Sequence, residues 1–283
     1  YKIGEWNHAP KQLWHVQSIT KSITSLMLGI ALRDGVISSL DDKVVDYWPE
    51  FDTTSVYAGP YTDQVTFRHL VTMTAGLKEV RFYGIEYIDP NNHEPGTEFH
   101  YHNDQPQALA RTMTYILCEH LGDVLAERLL DDMQCSMTWD QDWGFGDNPG
   151  VPWITASNGE TVANVAGHAQ SNWTAGELAK VGYLYLNKGM WNNRRILPEW
   201  YIEETFTDIP FEMNPWFAPP LSQSEERLSV QEYGLGWWRL KFSSDITVWY
   251  MGGHGMQFCV VLPEYNIVMT KVNDWDGQED NHG

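Results

Sequence analysis

Apolar residues recur at helical spacing at Ile19, Ile23, Leu26 and Ile30, and Leu28, Ala31 and Leu32 make the other side apolar too. The spacing predicts a helix over 18–34 that is buried nearly all round. Ser18 is placed to cap its start, and Gly35 to take the left-handed residue that ends it. Short helices and loops follow. Thr66 is placed to cap a helix over 67–74 with Gly76 behind it, and helical spacing extends over 105–132. Thr174 and Glu177 form a capping box ahead of 178–186, Gly189 closes that helix, and Pro198 opens another. The period then changes. Four pieces, 233–242, 246–251, 256–262 and 267–272, alternate or run apolar between turn clusters, which predicts an antiparallel meander. A Pro- and Trp-bearing loop over 208–231 precedes them, and its length makes it a candidate cover for a binding cleft.

Composition narrows the partners. The chain has 283 residues, enough for one large or two ordinary domains, and its 14 Trp, 14 Tyr and 10 Phe supply a large core. Net charge is −20, and no basic cluster occurs beyond Arg194 and Arg195, so nucleic acid is not an expected partner. No apolar run approaches the roughly 18 residues of a bilayer span, so no membrane span is expected. Cys118, Cys135 and Cys259 lack any CxxC spacing and read as buried thiols rather than a disulfide frame or a zinc knuckle. A small molecule or a peptide is the expected ligand.

Three segments carry candidate chemistry. Ser18 and Lys21 stand three apart, so a hydroxyl and an ammonium share one helix face. Near the buried, positive end of that helix the lysine should lose its proton readily and accept one from the serine. The bland reading is a simple N-cap beside a lysine that reaches solvent. Tyr101, His102 and Asn103 follow Pro95-Gly96-Thr97 in a stretch without helical period; two cations beside Tyr101 would lower its pKa by about 3. A tyrosine bonded to a loop carbonyl is the plain alternative. Gly252, Gly253, His254, Gly255, Met256 and Gln257 join permissive backbone to one titratable ring, either at a ligand-facing edge or in a hairpin bend.

In their order, these segments resemble the serine hydrolases of the beta-lactamase and penicillin-binding-protein superfamily, especially its class C-like branch. That branch holds carboxylesterases, D-aminopeptidases and beta-lactamases. Val16-Gln17-Ser18-Ile19-Thr20-Lys21-Ser22 looks like the family's nucleophile helix, and the run from Phe67 through Thr74-Ala75-Gly76-Leu77 like its helical-domain signature. Tyr101-His102-Asn103 looks like the second motif, and Gly253-His254-Gly255-Met256-Gln257 like the His-Gly-Gly variant of the third. Glu177-Leu178-Ala179-Lys180 and Tyr233-Gly234-Leu235-Gly236-Trp237 also fit.

The resemblance implies an α/β (α+β) fold, with an antiparallel sheet flanked by helices and a mainly helical inserted domain. Residues 1–35 and 168–283 would form the first part and 36–167 the second. It implies that Ser18 attacks an ester or amide carbonyl to form an acyl-serine, and that Lys21 and Tyr101 share the base and acid work. Asn103 would position Lys21 and the substrate, and the Ser18 and Gln257 amides would bind the oxyanion. His254, where many relatives carry Lys, would hold the tyrosine hydroxyl or the substrate rather than supply a permanent positive charge, and Gly255 would contact the substrate. No cofactor is implied, and the chain would act as a monomer or homodimer.

Departures set alternatives beside this. Met256 replaces a usual Gly, where it would narrow the cleft or shift the oxyanion amide. Only about 17 residues precede Ser18, and the sequence stops soon after Val272, so a helix and strands before and a helix after are missing. The expectation is a fragment whose sheet face and edge are exposed, leaving it unstable or dimeric. A catalytically weak or inactive ligand-binding or cell-wall-binding relative is the second functional reading. His93, His100 and His102 lie close in sequence, but no HExxH or carboxylate pattern accompanies them and no metal is expected. Of the tryptophans, Trp143, Trp153, Trp237 and Trp238 read as core, and Trp216 as a candidate cleft residue.

Overall fold

The computed structural model describes residues 12–53, 55, 57–77, 93–142, 144, 145, 148–207, 230–241 and 246–273. Its organising element is α1 (Ile19–Arg33), buried from Ile19 through Ala31. Ile19, Ile23, Leu26, Met27, Leu28 and Ile30 are almost wholly excluded from water, each contributing about 1.5–3 kcal/mol of burial. Its buried hydroxyls all have partners. Thr20 bonds Ser171, Ser22 donates to the Gly236 carbonyl, Thr24 to the Gly167 carbonyl and Ser25 to the Leu235 carbonyl. Two distant loops are thereby fastened to one helix, because each buried hydroxyl left unpaired would cost about 1–3 kcal/mol.

The other helices are α2 (Phe67–Val71), α3 (Asp104–Leu117), α4 (Leu121–Leu125), α5 (Asp131–Met133), α6 (Ala175–Leu186) and α7 (Glu199–Thr205). Thr66 caps α2 and Thr174 caps α6 in full capping boxes; in α2 the third position is His69 rather than an acid. The helix expected over 105–132 is broken. Cys118 takes a left-handed conformation that ends α3, and the chain resumes as α4, a π turn over Ala126–Leu130 and α5.

In chain order the strands are β1 (Trp14–His15), β2 (Thr138–Trp139), β3 (Gly144–Phe145), β4 (Asn148–Pro149), β5 (Trp153–Thr155), β6 (Thr161–Ala163), β7 (Ser171–Trp173), β8 (Met190–Trp191) and β9 (Arg194–Arg195). β10 (Val230–Tyr233), β11 (Trp238–Lys241), β12 (Thr247–Gly253), β13 (Gln257–Leu262) and β14 (Ile267–Lys271) complete them. β10 to β14 form the antiparallel meander in sequential order. The run over 233–242 is not one strand, since the Gly234 amide bonds the Trp237 carbonyl and Gly236 turns left-handed between β10 and β11. The loop expected over 208–231 lies, up to residue 229, outside the described residues, as do Trp143 and Trp216; its last two residues open β10.

Helices α1 and α6 pack against this sheet. α6 is fastened there by Thr270, which donates to the Ala175 carbonyl at 2.9 Å. On β14 the residues facing the other way, Ile267 and Met269, are exposed. A second sheet, in the order β1-β7-β2, holds the chain just ahead of α1: Trp14 pairs with Trp173 and His15 with Asn172. The fold is therefore mixed, with an antiparallel sheet and flanking helices, as expected. Its main core is shared by α1, the middle helices and the sheet.

Candidate active site

Ser18 occupies the N-cap position of α1 but makes no capping bond with its side chain. The hydroxyl is engaged by Lys21, whose Nζ lies 2.9 Å from Ser18 Oγ and 3.0 Å from the His168 carbonyl oxygen. Gln17, immediately before, sits at φ 52°, so the chain reaches Ser18 through a left-handed residue. Lys21 is 3% exposed, and this burial pushes its amine down to about 7. At neutral pH a large share of Lys21 is thus uncharged, and the contact that an ammonium donates to Ser18 can reverse. Burial, rather than the helix dipole, is the cause.

Tyr101 joins the pair from the segment ahead of α3. Its hydroxyl lies close enough to Ser18 to interact with it, and Lys21 Nζ stands 5.1 Å from its ring centre. The expected depression of its pKa is overturned. Burial pushes the phenol well above the ordinary tyrosine value, outweighing the interaction with Ser18, and the nearby Tyr250 adds to the rise. Tyr101 is therefore a neutral phenol. Its ring packs against Trp238 at 5.0 Å and Tyr233 at 5.7 Å. Trp238 is buried as expected, yet it forms the wall behind the candidate site.

Asn103 is the N-cap residue of α3 and accepts the Gln107 amide through its backbone carbonyl. Lys21 makes no bond to it. The second bond of the amine goes to the His168 carbonyl. A chain of contacts holds that carbonyl: Gln107 donates to the Val165 carbonyl and accepts from the Gly167 amide and His168 Nδ1. Burial and the neighbouring Lys21 hold the His168 imidazole below its ordinary pKa, so it stays neutral. Neither Gln107 nor His168 is visible as a candidate from the sequence, because the working atom at residue 168 is a backbone oxygen. His102 is buried, and its Nδ1 accepts the Asp104 amide.

The third segment is a hairpin. Gly253 pairs with Gln257 across the end of β12 and β13, and His254, Gly255 and Met256 form the turn. Gly255 and Met256 both have positive φ, 79° and 61°. The Met256 side chain is 71% exposed on this turn, so it does not pack inward. His254 is exposed too. Gln257 is buried, and its carboxamide donates to the His15 carbonyl at 2.8 Å, tying the hairpin to the strand that leads into Ser18. The seven expected residues thus divide. Ser18, Lys21 and Tyr101 are in mutual contact; Gly255 and Gln257 belong to the hairpin fastened beside them; His254 is at its exposed tip, and Asn103 is a helix cap.

The chain is similar to known proteins in sequence and in fold. The model of the Beta-lactamase family matches residues 4–282. Two proteins of Dictyostelium discoideum, Beta-lactamase-like protein 4 and Beta-lactamase-like protein 2, are 42% and 46% identical over 65 and 63 residues. Those stretches cover 23% and 22% of this chain and 11% of each of those proteins, so the match spans a small part of their length. The octameric penicillin-binding protein homologue from Pyrococcus abyssi superposes with a TM-score of 0.65 at 18% identity, covering 93% of this chain and 62% of that one. A D-stereospecific amidohydrolase from Streptomyces sp. superposes with a TM-score of 0.64 at 18% identity, covering 94% and 83%. At such identities the superpositions speak to the fold, while the family match runs nearly the whole length; the chain belongs to the Beta-lactamase family.

Proposed function

We propose that the chain is a serine hydrolase that transfers the acyl group of a carboxylic ester or amide to water through Ser18. The observation that carries this is the 2.9 Å contact between Ser18 Oγ and an amine buried enough to be partly neutral at pH 7. In the neutral state the Lys21 lone pair accepts the Ser18 proton, and Oγ forms a bond to the carbonyl carbon. The resulting oxyanion is met by the backbone amides of Ser18 and Gln257, the latter on the hairpin tied to the His15 carbonyl. As the carbonyl reforms, the bond to the leaving oxygen or nitrogen breaks. Tyr101 donates its proton to that atom and recovers one from Lys21. Water then repeats the sequence on the acyl-serine, releasing the acid and restoring the Ser18 hydroxyl.

The His168 carbonyl supports this cycle by holding Nζ against Ser18 in either protonation state. Family membership and the hydrolases of this fold support the same reading. The alternative of a non-turnover binding protein draws on Met256, and the outward position of that side chain lends it no support. The test is Ser18→Ala. Its circular dichroism and melting should stay close to the parent's, and its hydrolysis of simple alkyl esters should fall to background. A folded variant keeping most of its activity would remove Ser18 as nucleophile.

A further inference from the structure

We infer, resting on the hydrolase reading above, that the substrate is a neutral ester or amide carrying a flat apolar group, and that carboxylate-bearing substrates are disfavoured. The juxtaposition behind this is an aromatic wall continuous with Ser18. Tyr101 touches Ser18 and leans on Trp238; Tyr233 meets both rings edge-on, at 5.7 Å and 4.6 Å; Trp238 stacks on Tyr250 at 6.3 Å. Phe99 extends the wall from Tyr233, and Phe99, Tyr101 and Tyr250 are only partly buried, so the cluster has an accessible side. Gly252 keeps that arrangement. A β-carbon there would lie 3.2 Å from the Tyr250 ring and 3.6 Å from Trp238, so the missing side chain leaves both rings room.

The charges of the site-building elements point the same way. Lys21 is spent on Ser18 and the His168 carbonyl. Arg111 of α3 is paired with Asp142, and Arg239 of β11 is paired with Glu232 and lies over Trp249. Lys241 lies at the far end of β11, opposite Thr247. At the hairpin tip stands an imidazole, that of His254, rather than an ammonium or guanidinium. Among the described residues of these elements, then, no permanent cation is free to receive a carboxylate. The faces of aromatic rings are negative, so a carboxylate brought against them loses water and gains repulsion. The whole chain, at −20, adds a field that repels anions. A flat apolar group suffers none of these penalties and gains ring contacts.

The experiment compares kcat/KM by pH-stat at pH 8 for ethyl butyrate, benzyl butyrate, methyl phenylacetate and benzyl hydrogen succinate, with nitrocefin followed optically. Benzyl succinate matches benzyl butyrate in size and differs by a terminal carboxylate. The expected result is at least one ring-bearing ester about tenfold above ethyl butyrate, and benzyl succinate and nitrocefin each tenfold or more below benzyl butyrate. Tyr250→Ala should shrink the ring advantage at least threefold through KM while ethyl butyrate changes less. Anionic substrates that equal or exceed their neutral counterparts, or rings that confer no advantage, would overturn the inference and leave the hydrolase reading standing. Failure of a fluorophosphonate to label Ser18, with every ester left intact, would overturn both.

Discussion

A β-carbon added to Gly253 would stand 2.3 Å from the Val16 carbonyl oxygen, two residues ahead of Ser18. That approach lets the β12–β13 hairpin lie directly against the entry to α1, and backbone on both sides leaves no flexible side chain to yield. Gly253→Ala must therefore push the hairpin away. The expected outcome is a loss of about 1–3 kcal/mol in urea unfolding and at least a tenfold fall in kcat, since the Gln257 amide moves from the oxyanion. Unchanged kcat would mean that the hairpin does not contribute to the reaction.

Lys21 ties stability to pH. Burial lowers its pKa from 10.5 to about 7, so between those values the unfolded chain binds more protons than the native one. This group's cost to folding is fully present below pH 7 and declines as pH rises toward 10.5. Lys21→Met removes that cost. Its gain in unfolding free energy over the parent should be about 3 kcal/mol larger at pH 6 than at pH 9. A gain independent of pH would show the amine to be solvated.

Tyr101 tests which proton step needs the phenol. Because burial keeps it neutral, we assign it the part of acid toward the leaving group rather than of base toward Ser18. Tyr101→Phe should slow alkyl ester hydrolysis by roughly 100-fold, and aryl esters with acidic phenol leaving groups far less. Equal losses on both classes would instead assign Tyr101 to the activation of Ser18.

How far the sequence was legible depended on which atoms did the work. The period of Ile19, Ile23, Leu26 and Ile30 marks α1 because its side chains bury on every side, and the Thr174–Glu177 box marks α6 because two side chains close it. Ser18, Lys21 and Tyr101 were visible because their chemistry resides in the side chain. The break at Cys118 was hidden, since a left-handed cysteine has no compositional mark and tertiary packing decides it. The His168 carbonyl was hidden for a stronger reason, that every residue carries one. Tyr101's raised pKa could not be read either, because it comes from Trp238, Tyr233 and Tyr250, more than a hundred residues away in sequence. Asn103 illustrates the same point: proximity to Tyr101 in sequence does not by itself aim a side chain at Lys21, whose bonds go to Ser18 and the His168 carbonyl.

The most direct measurement is the pH dependence of Ser18 phosphonylation by a fluorophosphonate, followed by intact mass with the adduct mapped by peptide sequencing. The second-order rate should climb about tenfold per pH unit below 7 and level off above it, with the adduct on Ser18 and none on Ser18→Ala. An adduct on another residue, or a rate flat between pH 5 and pH 9, would contradict a serine activated by a buried, neutral Lys21.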